Sequence, residues 1–252
     1  MFSAKQRKKC FLGMPHWKTI PWRETPKTEK NLLMDILLDI PDILEDFDAM
    51  RDCCDPTERA VLRQLLLEKC WIYDAEFLQW AASTDMPIYT HDIATAKPTT
   101  ETVSPDDIST AEILALCWSG CLLLYSTLEL ISTPDERAHL PKRTDHTIYI
   151  RNIAETIPVL LDNGAGMLGR HIAACPLAMA LQFNAAFAER SEPPSDVKTM
   201  LLKGMDCSGS NMNVVSDFIL SMNNGSHRHP AWMTDMEGNA GITARARKWV
   251  GV

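Results

Sequence analysis

The chain has 252 residues, of which 46% are hydrophobic and 23% are charged. This length and apolar content are enough to bury a sizeable core, which excludes wholesale disorder and predicts one domain or two tightly packed halves. The formal net charge is −8, yet residues 1–30 carry eight Lys or Arg against two Glu, whereas residues 31–60 carry nine acids against two Arg.

The basic N-terminal segment, residues 1–30, contains the cluster Lys5, Arg7, Lys8 and Lys9. Such a cluster could contact nucleic acid or an import receptor. A partly ordered, solvated terminus is the interpretation we favour. An apolar stretch of signal-peptide length does not follow, so export is not expected. We interpret Trp17 and Trp22 as packing residues.

Residues 31–84 carry the periodicity of amphipathic helices. Pro41 is expected to kink or restart the first of these helices. Asp55-Pro56-Thr57-Glu58 predicts a strong helix start, with Asp55 as the cap. The apolar face of the helix that follows is predicted to contain Val61, Leu62, Leu65, Leu66, Ile72, Tyr73, Phe77 and Trp80. Residues 83–103 are polar and predict a long surface loop.

Ser104-Pro105-Asp106-Asp107 opens the next predicted helix, and the uncharged run 113–128 inside it predicts a central, buried helix. The run is shorter than the roughly 20 residues that span a bilayer, so no membrane partner is expected. After a link at 132–145, helices are predicted from Ile148 to Asn163-Gly164, over 173–188, over 195–203 and around 215–222.

Strand patterns separated by hairpin turns are absent from the sequence. The fold class is therefore predicted as all-α, a multi-helix domain of about seven or eight helices. Its boundaries are placed at residues 31–225, after the basic segment and before a loose C-terminal tail at 226–252.

The segment Gly164-Ala165-Gly166-Met167-Leu168-Gly169 matches the glycine pattern of dinucleotide-binding turns. An isolated match is weak without a second strand-helix-strand unit, and a glycine-rich helix stop is the favoured interpretation. No cofactor is expected. His171, directly after the turn, is the one residue proposed as a catalytic acid or base, because imidazole titrates near neutrality. A structural histidine at a helix start is the alternative.

Carboxylates recur through residues 35–48, and a magnesium ion prefers such oxygen ligands. Asp42, Glu45 and Asp46 are the candidate metal ligands. Their helical spacing opposite the apolar stripe equally fits a solvent-exposed acidic face, which we favour. The eight cysteines lack the spaced pairs of a zinc site and the density of a secreted scaffold, which predicts an intracellular location in nucleus or cytoplasm. Cys53-Cys54 lacks a histidine partner in sequence, so the sequence does not predict acyl-transfer chemistry by these cysteines.

The sequences HWKTIPW at residues 16–22 and LMDILLDIPDILEDFD at residues 33–48 resemble the C-terminal, regulatory halves of fungal binuclear zinc-cluster transcription factors. The similarity extends through residues 111–130, 153–161 and 164–180. It implies an all-helical regulatory domain that does not itself contact DNA. The cysteine spacing here cannot supply the six-cysteine cluster with which that family binds DNA, so direct sequence-specific DNA binding is not expected.

The resemblance implies a regulatory or interaction protein of a fungal pathway, with secondary metabolism as the type of pathway. Its expected partners are other proteins, transcription factors among them, and a hydrophobic small molecule. The alternative is a cofactor-independent cyclase or isomerase that binds a hydrophobic metabolite between helices, with His171 or an acid of residues 35–48 as proton donor.

Overall fold

The computed structural model describes residues 7–84, 103–187, 197 and 199–201. Within these residues every regular element is helical and no strand occurs, which confirms the all-α fold class. The eight α-helices described are α1 (Pro15–Thr19), α2 (Glu29–Leu37), α3 (Ile40–Asp52), α4 (Pro56–Thr84), α5 (Pro105–Ile131), α6 (Pro134–Ala138), α7 (His146–Leu160) and α8 (Gly166–Phe187). The predicted helix at 215–222, the tail at 226–252 and nearly all of the loop at 83–103 lie outside the described residues.

Contacts divide the chain into two compact units, and the division falls inside α5. One unit comprises Met1–Ile88 and Gly120–Thr144, and the other comprises Tyr89–Ser119 and Asp145–Val252. We call them unit 1 and unit 2.

The helix starts of unit 1 follow the sequence signals. Helix α2 ends at Leu37, and α3 restarts at Ile40 with Pro41 in its first turn, where the missing N–H is not needed. Asp55 caps α4 by accepting a hydrogen bond from the backbone N–H of Thr57 at 2.8 Å. The predicted link after α5 contains α6, which a capping box between Thr133 and Glu136 begins.

Helix α4 packs against α2 and α3 to form the core of unit 1. Its buried side is formed by Leu66, Cys70, Asp74, Phe77 and Trp80. The Trp80 indole donates to the carbonyl of Glu29 at 2.9 Å, which ties the end of α4 to the start of α2.

The prediction for the other side of α4 was wrong at three positions. Val61, Leu65 and Ile72 are more than half exposed. At 100° per residue they form a stripe nearly opposite to Leu66 and Cys70, and a 29-residue helix that packs along one side leaves such a stripe in water. Apolar residues on both sides of a long helix cannot all face one core.

A buried carboxylate connects three segments of unit 1. Asp74 on α4 is 4% exposed and accepts hydrogen bonds from the Tyr125 hydroxyl at 2.8 Å and from Arg143 Nη2 at 2.8 Å and Nε at 3.1 Å. The Arg143 guanidinium also lies 6.0 Å from the Trp71 ring centroid. Burial of this charge is tolerated because the carboxylate is paired and hydrogen-bonded.

We expect Asp74→Ala to lower the free energy of unfolding by about 3 kcal/mol, because it leaves the Tyr125 hydroxyl and the Arg143 guanidinium without their acceptor. Tyr125→Phe removes one hydrogen bond and should cost about 1 kcal/mol. Urea unfolding of both variants measures the difference. Equal losses would show that Asp74 contributes no more than a single neutral hydrogen bond.

In unit 2, α7 and α8 pack against each other as a helical hairpin. Asp145 caps α7 by accepting from the N–H of Thr147 at 2.9 Å. The hairpin core includes Tyr149, Ile153, Ile157, Leu160, Ala178, Leu181 and Phe183. Of the predicted helix at 195–203, residues 197 and 199–201 are helical.

Helix α5 begins as predicted, with Ser104 and Asp107 exchanging hydrogen bonds in its first turn. It is the one helix in the described residues whose length and composition would allow it to cross a membrane. Its most apolar 18 residues are 78% buried, as in the core helix of a folded domain. The predicted burial of residues 113–128 is confirmed for most of this run.

Candidate functional site

Carboxylates cluster on α2, on α3 and in the turn between them in unit 1. Those three or four residues apart lie along one side of these helices. Like charges at this spacing repel one another, and the arrangement needs compensating cations.

The cations come largely from the chain that precedes α2. We call residues 7–27 the strap. Strap cations pair with the acids in antiparallel order at 3.4 Å or less, as Arg7 with Asp48, Lys8 with Glu45, Lys9 with Asp42, Lys18 with Asp39 and Lys27 with Asp35. The backbone N–H of Lys9 also donates to Glu45 at 2.8 Å. The basic N-terminal segment and the acidic segment therefore neutralise each other.

This arrangement corrects the expectation of a solvated terminus for residues 7–30; residues 1–6, with Lys5, lie outside the described residues. Two contacts besides the ion pairs hold the strap in place. Cys10 is buried, and Gly13 passes so close to the turn between α2 and α3 that a Cβ there would lie 2.7 Å from Asp39 Oδ1. A terminus fixed by burial and by several charge pairs does not fray as a solvated tail does.

The candidate metal ligands are partly brought together, but a lysine occupies the space between them. Lys69 Nζ on α4 lies 2.7 Å from Asp42 Oδ2 and 2.6 Å from Asp46 Oδ2. Glu45 pairs with Lys8 instead, at 2.8 Å. Among the described residues no group of three or more His, Cys, Asp or Glu is arranged to hold a metal ion.

The ion pairs shift the pKa values of Asp42, Glu45 and Lys69 further away from neutral pH. Partial burial opposes the charged form of Asp42, but the hydrogen bonds and charges of Lys69 and Lys9 prevail and lower its pKa. Burial likewise opposes the charge of Lys69, and Asp42 and Asp46 prevail and raise its pKa. The hydrogen bond from Lys8 lowers the pKa of Glu45. Asp42, Glu45 and Lys69 are therefore charged at neutral pH.

We expect Lys69→Met to reduce the free energy of unfolding by about 1–2 kcal/mol at pH 7, because it leaves Asp42 and Asp46 side by side without their shared cation. The lowered pKa of Asp42 means that the stabilisation exists above the carboxyl pKa of the unfolded chain, about 4, and is lost as pH falls through the lower folded value. Denaturant titrations of both proteins across this range measure the difference.

Lys8→Met is the matched control, because the Lys8 side chain is 67% exposed and its pair with Glu45 is screened by water. Its expected cost is below about 0.5 kcal/mol. A Lys69→Met deficit that persists unchanged at pH 3 would contradict the electrostatic explanation.

Large apolar side chains on the strap face solvent. We call Phe11, Leu12, Met14, Trp17 and Ile20 the aromatic patch; their exposed fractions range from 37% to 60%. The Phe11 and Trp17 rings contact each other edge to face, with centroids 5.9 Å apart. The interpretation of Trp17 as a packing residue was therefore only partly right, since it packs on another exposed ring.

The glycine motif forms the turn between α7 and α8. Residues 158–161, which a dinucleotide fold would place in a strand, lie at the end of α7 and at its C-cap, and Asn163–Ala165 form a 3₁₀ turn. Gly166 has a φ of 57°, and a Cβ on Gly169 would collide with the Leu160 carbonyl oxygen. Both glycines are explained by this helix-to-helix turn.

His171 lies on α8, shortly after this turn. Its ring is exposed, and Nδ1 lies 2.9 Å from the Met167 carbonyl oxygen one helical turn earlier. This local contact fits a surface histidine near a helix start. The histidines at 91, 227 and 229 lie outside the described residues.

We expect Gly169→Ala to destabilise the protein by about 2 kcal/mol or more, because the new methyl group would overlap backbone and the helices must separate. Gly164→Ala is the control, since its nearest neighbours would be Asp162 Oδ1 at 3.2 Å and the Val103 carbonyl at 3.5 Å. Thermal unfolding should show a drop of several degrees for Gly169→Ala alone. Equal melting temperatures would disprove the close approach of α7 and α8.

Three of the described cysteines have a raised thiol pKa. Burial raises the pKa of Cys70 and of Cys175 to about 12. Partial desolvation, together with the Glu58 carboxylate 3.5 Å from its Sγ, raises the pKa of Cys53. These thiols are protonated at neutral pH, and a protonated thiol is a poor nucleophile.

Comparisons of the chain with protein-family models, with curated proteins and with solved structures found no match.

Proposed function

We propose that the chain is a transcription-factor-like regulatory or interaction protein of a fungal pathway, one of secondary metabolism, that acts through protein partners in the nucleus or cytoplasm. The proposal combines the resemblance at residues 16–22 and 33–48 with one structural observation. That observation is the aromatic patch, which presents large apolar side chains to solvent.

The patch supports an interaction role because contiguous exposed apolar side chains mark binding surfaces, and Trp, Phe and Met are enriched in them. Both resembling segments lie in the same part of unit 1. Residues 16–22 form α1 and the end of the patch, while residues 33–48 carry the acids that hold the strap. The resembling segments thus contribute Trp17 and Ile20 to the patch and supply the acids that anchor the strap.

The alternative, a cofactor-independent cyclase or isomerase, has less support. Its proposed proton donors were His171 and an acid of residues 35–48. His171 is exposed and contacts its own helix backbone, and each of the six acids pairs with Lys or Arg. The pairs with Lys69 and Lys8 lower the pKa of Asp42 and of Glu45, which makes these two carboxyl groups weaker proton donors.

Deletion of the gene in its source organism should change the transcript levels of several genes of one pathway, because a regulator acts before any single chemical step. Transcript sequencing and metabolite profiling of the same cultures measure this, with the reintroduced wild-type gene as the control. Unchanged transcripts together with accumulation of one intermediate would reject the proposal and favour the enzymatic alternative.

A further inference from the structure

We propose that the aromatic patch is the docking site for an acidic amphipathic helix of a partner protein. The inference rests on the proposed function, since it specifies the partner chemistry that such an interaction protein would recognise.

The patch is large enough for one helix face. Aromatic side chains bury about 150–250 Å² each when fully covered. With exposed fractions of 60% for Phe11 and 44% for Trp17, these two rings alone present roughly 200 Å² of apolar surface. The apolar face of a helix, with anchors at i, i+3, i+4 and i+7, can cover such a surface. A second copy of the chain would bring the same exposed Lys8 and Lys9 to the rim, where like charges repel.

Two exposed ammonium groups of the strap, those of Lys8 and Lys9, favour an acidic partner. Residues 7–23 contain five Lys or Arg and no Asp or Glu. Lys8 and Lys9 already contact Glu45 and Asp42, but their side chains are 67% and 61% exposed, so their ammonium groups can approach a further carboxylate from the solvent side. Complementary charge at the rim of an interface favours the correct partner and speeds association.

The anchoring of the strap makes the patch ready to bind. Lys18 pairs with Asp39 at 2.5 Å, Cys10 is buried, and Gly13 lies against the turn between α2 and α3. The backbone that carries Phe11 and Trp17 is thus ordered before any partner arrives. A preformed site avoids part of the entropy cost of binding.

A lipid surface is a poorer occupant than a helix. Basic and aromatic residues together also suit anionic membranes. Here the carboxylates of Asp39, Asp42, Glu45 and Asp48 lie directly beneath the strap cations. These acids cancel most of the attraction to a broad anionic surface, whereas a narrow helix can place its own acids next to the exposed ammonium groups alone.

The test measures binding of a fluorescent synthetic peptide to the purified full chain by fluorescence polarisation. The peptide has about 16 residues, with Leu and Phe along one helical face and Glu elsewhere. Two control peptides have the same composition in scrambled order, or Lys in place of every Glu. The acidic amphipathic peptide should bind at least tenfold more tightly than either control.

The protein variants locate the site. Phe11→Ala/Trp17→Ala should weaken peptide binding at least tenfold, because aromatic anchors dominate such interfaces. Val61→Ala/Leu65→Ala removes exposed apolar side chains of α4 and should change the affinity less than threefold. Ile20→Glu, which puts a negative charge on the patch, should weaken binding of the Glu peptide more than that of the Lys peptide. Circular dichroism verifies that each variant is folded.

Several outcomes would overturn the inference. They are equal binding of the control peptides, equal losses in both double variants, a dimer in sedimentation that Phe11→Ala/Trp17→Ala dissociates, and binding to phosphatidylserine vesicles that the same variant abolishes.

A strain that expresses Phe11→Ala/Trp17→Ala separates the two proposals. If deletion alters pathway transcripts and this strain matches the wild type, the docking inference fails and the proposed function stands. If deletion leaves transcripts unchanged, the proposed function fails whatever the peptide measurement shows.

Discussion

Charge compensation between the strap and the acidic side of α2 and α3 is the interaction on which the described part of unit 1 depends. Six carboxylates lie within residues 35–48, and those three or four residues apart would repel one another on isolated helices. The strap supplies five cations in matching order, and Lys69 on α4 supplies another. The same pairs therefore relieve repulsion in α3 and fix the N-terminal chain to it.

This compensation also decides what the acids can do. An ammonium group between Asp42 and Asp46 takes the position that a divalent cation would need, and it lowers the pKa of Asp42. Because most of these charged groups pair with one another, the exposed feature that remains at this surface is the aromatic patch. The ion pairs thus convert a strongly charged segment into the support for an aromatic surface.

Local signals in the sequence predicted the helices well, because caps and prolines act within a few residues. Pro41, Asp55 and Ser104 begin helices where expected. The exposed stripe of α4 was not predictable in this way, since Val61 and Leu65 are as apolar as the residues on the buried side. Which side of a long helix faces the core depends on its neighbours.

The strap shows a different limit. Residues 1–30 carry eight cations and residues 31–60 carry nine acids; taken separately, the two segments predict a solvated tail and a solvent-exposed face. Taken together, their opposite charges predict that they pair. The aromatic patch gave no comparable signal, because the exposure of Phe11 and Trp17 follows from the path of the strap over α2 and α3.

Cys10 gives this attachment a chemical reporter. Cys10 is itself a residue of the strap, between Lys9 and Phe11, and it is 8% exposed. An alkylating reagent reaches it only in molecules whose N-terminal chain has lifted, in the same manner as hydrogen exchange at a protected amide. The rate of alkylation at Cys10, measured separately from that at the exposed Cys54, therefore reports how often the strap detaches, without any mutation.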